Sequence, residues 1–145
     1  MEKFDQRYLE MAEIWARNSY CKRRQVGAIL VKDRMIISDG YNGTPSGFEN
    51  QCEDESGATK PYVLHAEANA IISASRRDMV GSTLYLVGRD GRTGALLGDA
   101  TSCAMCRRQV INAGISKVVI RKTDTEFEVV DVQDWVQQED DVPAL

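Results

Sequence analysis

The single histidine of the chain lies in His65-Ala66-Glu67, and 36 residues beyond Glu67 comes Cys103-Ala104-Met105-Cys106. Each half alone has a plainer reading. A lone histidine is commonly a packed or hydrogen-bonded residue, and a lone Cys-x-x-Cys can be a redox pair, because a helix N-terminus favours the thiolate. Together they point to a metal. His65, Cys103 and Cys106 offer one imidazole nitrogen and two thiolates, and three protein ligands with an open fourth position is the pattern of catalytic zinc. A Zn2+ ion held there lowers the pKa of a bound water from 15.7 to about 7 and so supplies hydroxide at neutral pH. Glu67, two residues from the histidine and not needed as a ligand, is placed to move a proton from that water to a ring nitrogen and then to a leaving amine. That is general acid–base work by one carboxylate.

Both motifs must be carried to one place, and both fall at predicted helix starts. The run 64–76 reads as a helix whose small residues Ala66, Ala68, Ala70 and Ala74 allow close packing, and 103–113 reads as a second helix stopped by Gly114. Upstream, Leu9, Ala12, Trp15 and Ala16 fall at helical spacing over 5–19, with Asp5 as the expected N-cap; this helix is expected to pack on a sheet and carry no chemistry. The β-rich runs 26–31 and 35–38 flank Lys32-Asp33-Arg34 and predict an antiparallel hairpin. Further strands are expected at 83–87, 117–121 and 127–130, and a short helix with Trp135 at 131–138. Strands alternating with helices after an opening hairpin predict an α/β layered domain with a largely parallel sheet. The stretch 40–61, rich in Gly, Pro, Asn, Ser and Thr, is a long loop of the length that is usually functional or disordered.

The 145 residues suit one domain, 1–145, with a flexible acidic tail at 139–145. Apolar residues make up 43% and charged residues 28%, which excludes collagen-like and disordered classes. No apolar run is long enough to span a membrane, and the acidic, alternating start is unlike a secretory signal, so a cytoplasmic protein is expected. The formal charge of −4, from 18 bases and 22 acids, is uneven: residues 122–145 hold eight acids and one base, leaving the body at +3. A mildly basic body suits a small anionic substrate. Without an extended basic and aromatic stripe, no nucleic-acid footprint is expected.

His-x-Glu followed by Cys-x-x-Cys is the signature of zinc-dependent nucleobase deaminases. From Tyr8 to Arg121 the sequence resembles the cytidine and deoxycytidylate deaminase superfamily, and within it the deoxycytidylate (dCMP) branch. The resemblance rests on Cys21-Lys22-Arg23-Arg24-Gln25-Val26-Gly27-Ala28, Gly40-Tyr41-Asn42-Gly43-Thr44-Pro45-Ser46-Gly47, His65-Ala66-Glu67-Ala68-Asn69-Ala70-Ile71 and Cys103 to Ile115, ending in Ile111-Asn112-Ala113-Gly114-Ile115. The metal motif specifies the superfamily; the Gly40–Gly47 run points to the nucleotide branch. The resemblance implies a three-layer α/β/α cytidine-deaminase-like fold with a mixed sheet of about five strands. It also implies Zn2+ as cofactor and hydrolysis of dCMP to dUMP and ammonia, feeding thymidylate synthesis. Asn42 would then bond the sugar, the backbone at Asn42, Gly43 and Thr44 would lie along the nucleotide, and Arg23 would take the phosphate, since a guanidinium fork matches phosphate oxygens. Backbone groups of Ala66 and Ser102 would read the base edge. Relatives are commonly oligomeric, so a homo-oligomer, trimer or hexamer, with dCTP and dTTP as effectors is implied by resemblance alone.

Two departures stand out. Ser102 occupies the position where the family usually has proline, and its hydroxyl is expected to cap the following helix. The excursion 88–99 is insertion-like and close enough to the motif to reshape the substrate entrance. In some dCMP deaminases cysteines at places similar to Cys21 and Cys52 join histidines in a second, structural zinc site. Here the single histidine is committed, and the pair is expected to be two reduced thiols packed against the loop. Two other readings stay open. One is deamination of another cytosine nucleotide, nucleoside or modified nucleotide. The other is a non-catalytic module in which zinc staples two helices, with Cys21 or Cys52 as fourth ligand and no task for Glu67.

Overall fold

The computed structural model describes residues 2–100 and 102–138; the expected tail at 139–145 lies outside them. The elements are α1 (Glu2–Ala16), β1 (Gln25–Lys32), β2 (Met35–Tyr41), α2 (Ala66–Ile72), α3 (Arg76–Met79), β3 (Thr83–Arg89), β4 (Leu96–Leu97), α4 (Ala104–Ala113), β5 (Lys117–Arg121), β6 (Phe127–Asp131) and α5 (Val132–Gln138). The six strands form one mixed sheet in the order β2-β1-β3-β5-β6, with β4 paired to β3.

The alternation along β1 sets the layers. Ala28 and Leu30 face one way with Leu84, Leu86, Val118 and Ile120, against Ala66 and Ala70 of α2, Val110 of α4 and Trp135 of α5. Ile29 and Val31 face the other way with Tyr85, Val87 and Val119, against Leu9 and Ala12 of α1. Strand side chains alternate faces, so two buried faces give the expected three layers. Packing on the α1 side is close enough to dictate residue type: a Cβ on Gly27 would overlap the Ala12 carbonyl oxygen and lie 2.6 Å from the Ala16 nitrogen.

The expectation of a largely parallel sheet is corrected. Among the described residues only β3 and β5 pair in parallel; β1–β2, β1–β3, β3–β4 and β5–β6 are antiparallel. A parallel pair needs a crossover. Helix α4 provides one between β3 and β5, whereas a tight turn closed by Lys122 N–H to the Glu126 carbonyl, 2.9 Å, sends β6 straight back along β5. The opening hairpin turns at Asp33 and Arg34, both in the left-handed region with φ of 52° and 65°. This is the backbone of a two-residue turn matched to strand twist, and Arg34 lies 4.4 Å over the Phe4 ring.

Two helix boundaries also change. Asp5 does not cap α1 but lies within it and accepts a 2.6 Å hydrogen bond from the Tyr85 hydroxyl, tying α1 to β3. Burial, reinforced by Asp5, pushes the Tyr85 phenol up from its ordinary pKa. The helix expected over 64–76 is two pieces, because Ser75 adopts extended backbone (φ −81°, ψ 148°) and caps α3 by accepting from Asp78 N–H. Helix α4 ends as expected at Gly114, with φ 84°.

Candidate active site

Each motif sits at the mouth of a helix on the same side of the sheet. His65 is the N-cap of α2 and Cys103 the N-cap of α4, both with extended backbone and neither using its side chain as a cap. Their side chains are therefore free to face each other. His65 Nδ1 lies 3.2 Å from Cys106 Sγ and 3.5 Å from Cys103 Sγ, and the three donor atoms all fall within 4.8 Å of one another. A zinc ion with ordinary Zn–N and Zn–S bonds and tetrahedral angles would separate such donors by about 3.6 Å (N to S) and about 3.8 Å (S to S). The donor set fits zinc in both chemistry and spacing.

Burial raises the Cys106 thiol above its ordinary pKa, and the Glu67 charge and Cys103 raise it further, so a cation at this site would be what favours its thiolate. The stapling module loses its fourth ligand. Cys21 and Cys52 are joined to each other in a disulfide, Cα–Cα 5.2 Å, which corrects the expectation of two reduced thiols. The chain after α1 and the loop before α2 run side by side, placing the two cysteines within bridging distance. Sequence could not show this adjacency, because 31 residues separate them.

Glu67, in the first turn of α2, is 5% exposed. It lines a pocket of about 350 Å3 with His65, Ala66, Cys103, Arg23, Arg24, Asn42 and Glu53. Its Oε2 accepts a 2.8 Å hydrogen bond from Ser102 Oγ. That bond corrects one expectation for Ser102: its hydroxyl does not cap α4. The residue is 2% exposed and is not among those lining the pocket. The Ser102 carbonyl accepts from Arg107 Nε at 3.1 Å.

The far wall of the pocket is the turn 21–24. Lys22 N–H donates to the Glu53 carboxylate at 3.0 and 3.2 Å, and Arg23 N–H at 3.2 Å. Glu53 is only 8% exposed, so these bonds compensate a buried charge. Arg24, also on the pocket wall, is paired with Asp99 of the 88–99 excursion, Nη2 to Oδ1 3.0 Å. The same excursion packs so close to the turn that a Cβ on Gly91 would lie 2.5 Å from the Cys21 carbonyl oxygen. Asn42, just past β2, is tied to the backbone at the start of β1: Val26 N–H donates to Oδ1 at 2.9 Å and Nδ2 donates to the Arg24 carbonyl at 2.8 Å.

Gly43 and Thr44, expected beside the nucleotide, are not brought to this pocket. Both line a separate cleft with Tyr20 and Asp39. Gly43 exchanges two backbone bonds with Leu64, and Thr44 meets the Tyr20 hydroxyl through its N–H, 2.9 Å, and its Oγ1, 2.6 Å. Glu53, Tyr20 and Asp99 were absent from the sequence-based candidates. For Glu53 the signal was an acid adjoining a cysteine at the head of the acidic run Glu53-Asp54-Glu55; Tyr20 and Asp99 gave none.

Residues 2–122 match the model of the cytidine and deoxycytidylate deaminase zinc-binding region. A deoxycytidylate deaminase of Mycobacterium phage D29 is 33% identical over 133 residues, 82% of this chain and 94% of that protein. The deoxycytidylate deaminase of Schizosaccharomyces pombe is 33% identical over 127 residues, and there the match covers 80% of this chain but 36% of the yeast protein. Among solved structures, a dCMP deaminase from cyanophage S-TIM5 in complex with dCMP and dUMP is 37% identical with a TM-score of 0.66, covering 80% of this chain and 79% of that one.

Proposed function

The chain belongs to the cytidine and deoxycytidylate deaminase family, and from that membership we propose that it converts dCMP and water to dUMP and ammonia, supplying dUMP for thymidylate synthesis. The carrying observation is the convergence of His65 Nδ1 with the two sulfurs, with His65, Cys103 and the buried Glu67 lining one pocket. His65, Cys103 and Cys106 hold zinc, which when bound supplies a water acidic enough to ionise near neutral pH. Glu67 moves two protons in turn from the attacking oxygen, the first to the ring nitrogen next to the reacting carbon and the second to the departing amine. Ala66, first residue of α2, has a backbone N–H with no partner inside the helix, and it faces the pocket ready for the base edge. Asn42 lines the pocket and keeps one amide proton and one oxygen lone pair beyond its two backbone bonds, which would serve the sugar. Arg23 takes the phosphate, because Glu53 fixes its backbone and Asp99 draws off its neighbour Arg24. Gly43 and Thr44 act one step back, holding Asn42 in place through Leu64 and Tyr20.

Among the described residues no helix is long and apolar enough to cross a membrane; a cytoplasmic location, assembly into trimers or hexamers, and control by dCTP and dTTP are supported by the resemblance. The deciding assay follows ammonia release from dCMP, CMP, cytidine and deoxycytidine. Highest kcat/KM with dCMP is expected; no ammonia from any of the four overturns the enzyme reading. Preference for a nucleoside removes the phosphate assignment.

A further inference from the structure

We infer that Ser102 is a positioning residue for the proton-carrying carboxylate, an inference that rests on the deaminase reading of the same site. Glu67 has two oxygens and one task in the pocket. One oxygen, Oε2, receives the Ser102 hydroxyl at 2.8 Å, and the donor is itself 2% exposed, so water does not compete for the bond. A bond on one oxygen restrains the rotation of the carboxylate and leaves the other oxygen for work in the pocket that Glu67 lines.

Ser102 is itself held from the opposite side. Its carbonyl accepts from Arg107 Nε at 3.1 Å, and that guanidinium stacks 5.1 Å from the Trp135 ring of α5. The hydroxyl is thus presented from a braced backbone, and a group braced through a neighbour's packing is what keeps a reacting atom within reach of its partner. Proline at this position has no hydroxyl and would leave Oε2 to find another partner. This chain therefore orients its carboxylate by a device that the usual family residue lacks.

The test compares parent and Ser102→Ala as zinc-loaded proteins, measuring kcat and KM for dCMP, zinc per chain, and Tm. Loss of one hydrogen bond to a charged group predicts a fall in kcat of about ten- to a hundredfold, with KM within about twofold. Zinc stays at one per chain and Tm moves by only a few degrees. A kcat equal to the parent's overturns the inference. So does a variant that loses zinc, or one whose KM rises while kcat holds, since the serine would then serve the metal or the substrate. A parent that releases no ammonia from dCMP fails the deaminase reading instead, and the two failures are told apart before any variant is compared.

Discussion

Arg23 and Arg24 are neighbours with the same side chain, and the structure assigns them opposite prospects. Arg24 is paired with Asp99 at 3.0 Å, with side-chain exposures of 46% and 76%. An exposed pair of this kind contributes about 0.2–1 kcal/mol, so Arg24→Ala is expected to change kcat/KM by less than about fivefold, and by the same factor for dCMP and deoxycytidine. Arg23 lines the pocket on a turn held by a buried carboxylate. A charge-assisted bond to phosphate is worth about 1.5–3 kcal/mol, which is roughly ten- to 150-fold in kcat/KM. Arg23→Ala should therefore lower kcat/KM for dCMP by that factor while leaving deoxycytidine within about twofold, collapsing the preference between the two. Steady-state ammonia release with both substrates reads the ratio directly. If Arg23→Ala slows both substrates equally, the residue shapes the turn and does not bind phosphate. If Arg24→Ala collapses the ratio, the pairing with Asp99 is broken when substrate arrives and the assignment must be reversed.

Glu67→Gln should keep one zinc per chain, measured by metal analysis, and lose at least about a hundredfold in deamination, the ordinary yield of a positioned proton carrier. Thiol titration of the protein denatured without reductant and stripped of metal by a chelator should count two thiols out of four, because Cys21 and Cys52 are bonded. A separation of 31 residues gives the disulfide about 3–4 kcal/mol on the loop-entropy account. Cys21→Ser with Cys52→Ser should accordingly lower Tm by about 10 °C, and four thiols in the unreduced, denatured protein would contradict the bond. Gly27→Ala forces a methyl group into the α1 backbone. It should cost about 1–3 kcal/mol or more, seen as a drop in Tm.

The parts of the site that were legible in the sequence are those whose information is local. His65 and Cys103 announced helix starts, and both are N-caps in the structure. The β-rich run 26–31 marked a strand, and Ala28, Ile29, Leu30 and Val31 fall alternately in the two core clusters. What could not be read depended on pairing across distance. Glu53 matters because it meets backbone 30 and 31 residues earlier, and Asp99 because it reaches Arg24 across 75. Ser102 was noticed as a departure, yet its local options, a cap or a base contact, concealed a partner 35 residues away. The largely parallel sheet failed for a related reason: alternation of strands and helices fixes their order in the chain, not the direction in which a short turn sends the next strand.

That one parallel pair has a kinetic consequence. The β1–β2 and β5–β6 hairpins can each close over a few residues, whereas β3 and β5 meet only after a crossover, with Thr83 opposite Lys117. Non-local pairings of this kind are the slow contacts of folding. Helix α4 is the crossover itself, so Cys103 and Cys106 can meet His65 only when that step is complete. The β1–β3 pairing, Gln25 opposite Arg89, is also long-range, so during refolding capture of zinc should trail hairpin formation and keep time with the long-range pairings of β3.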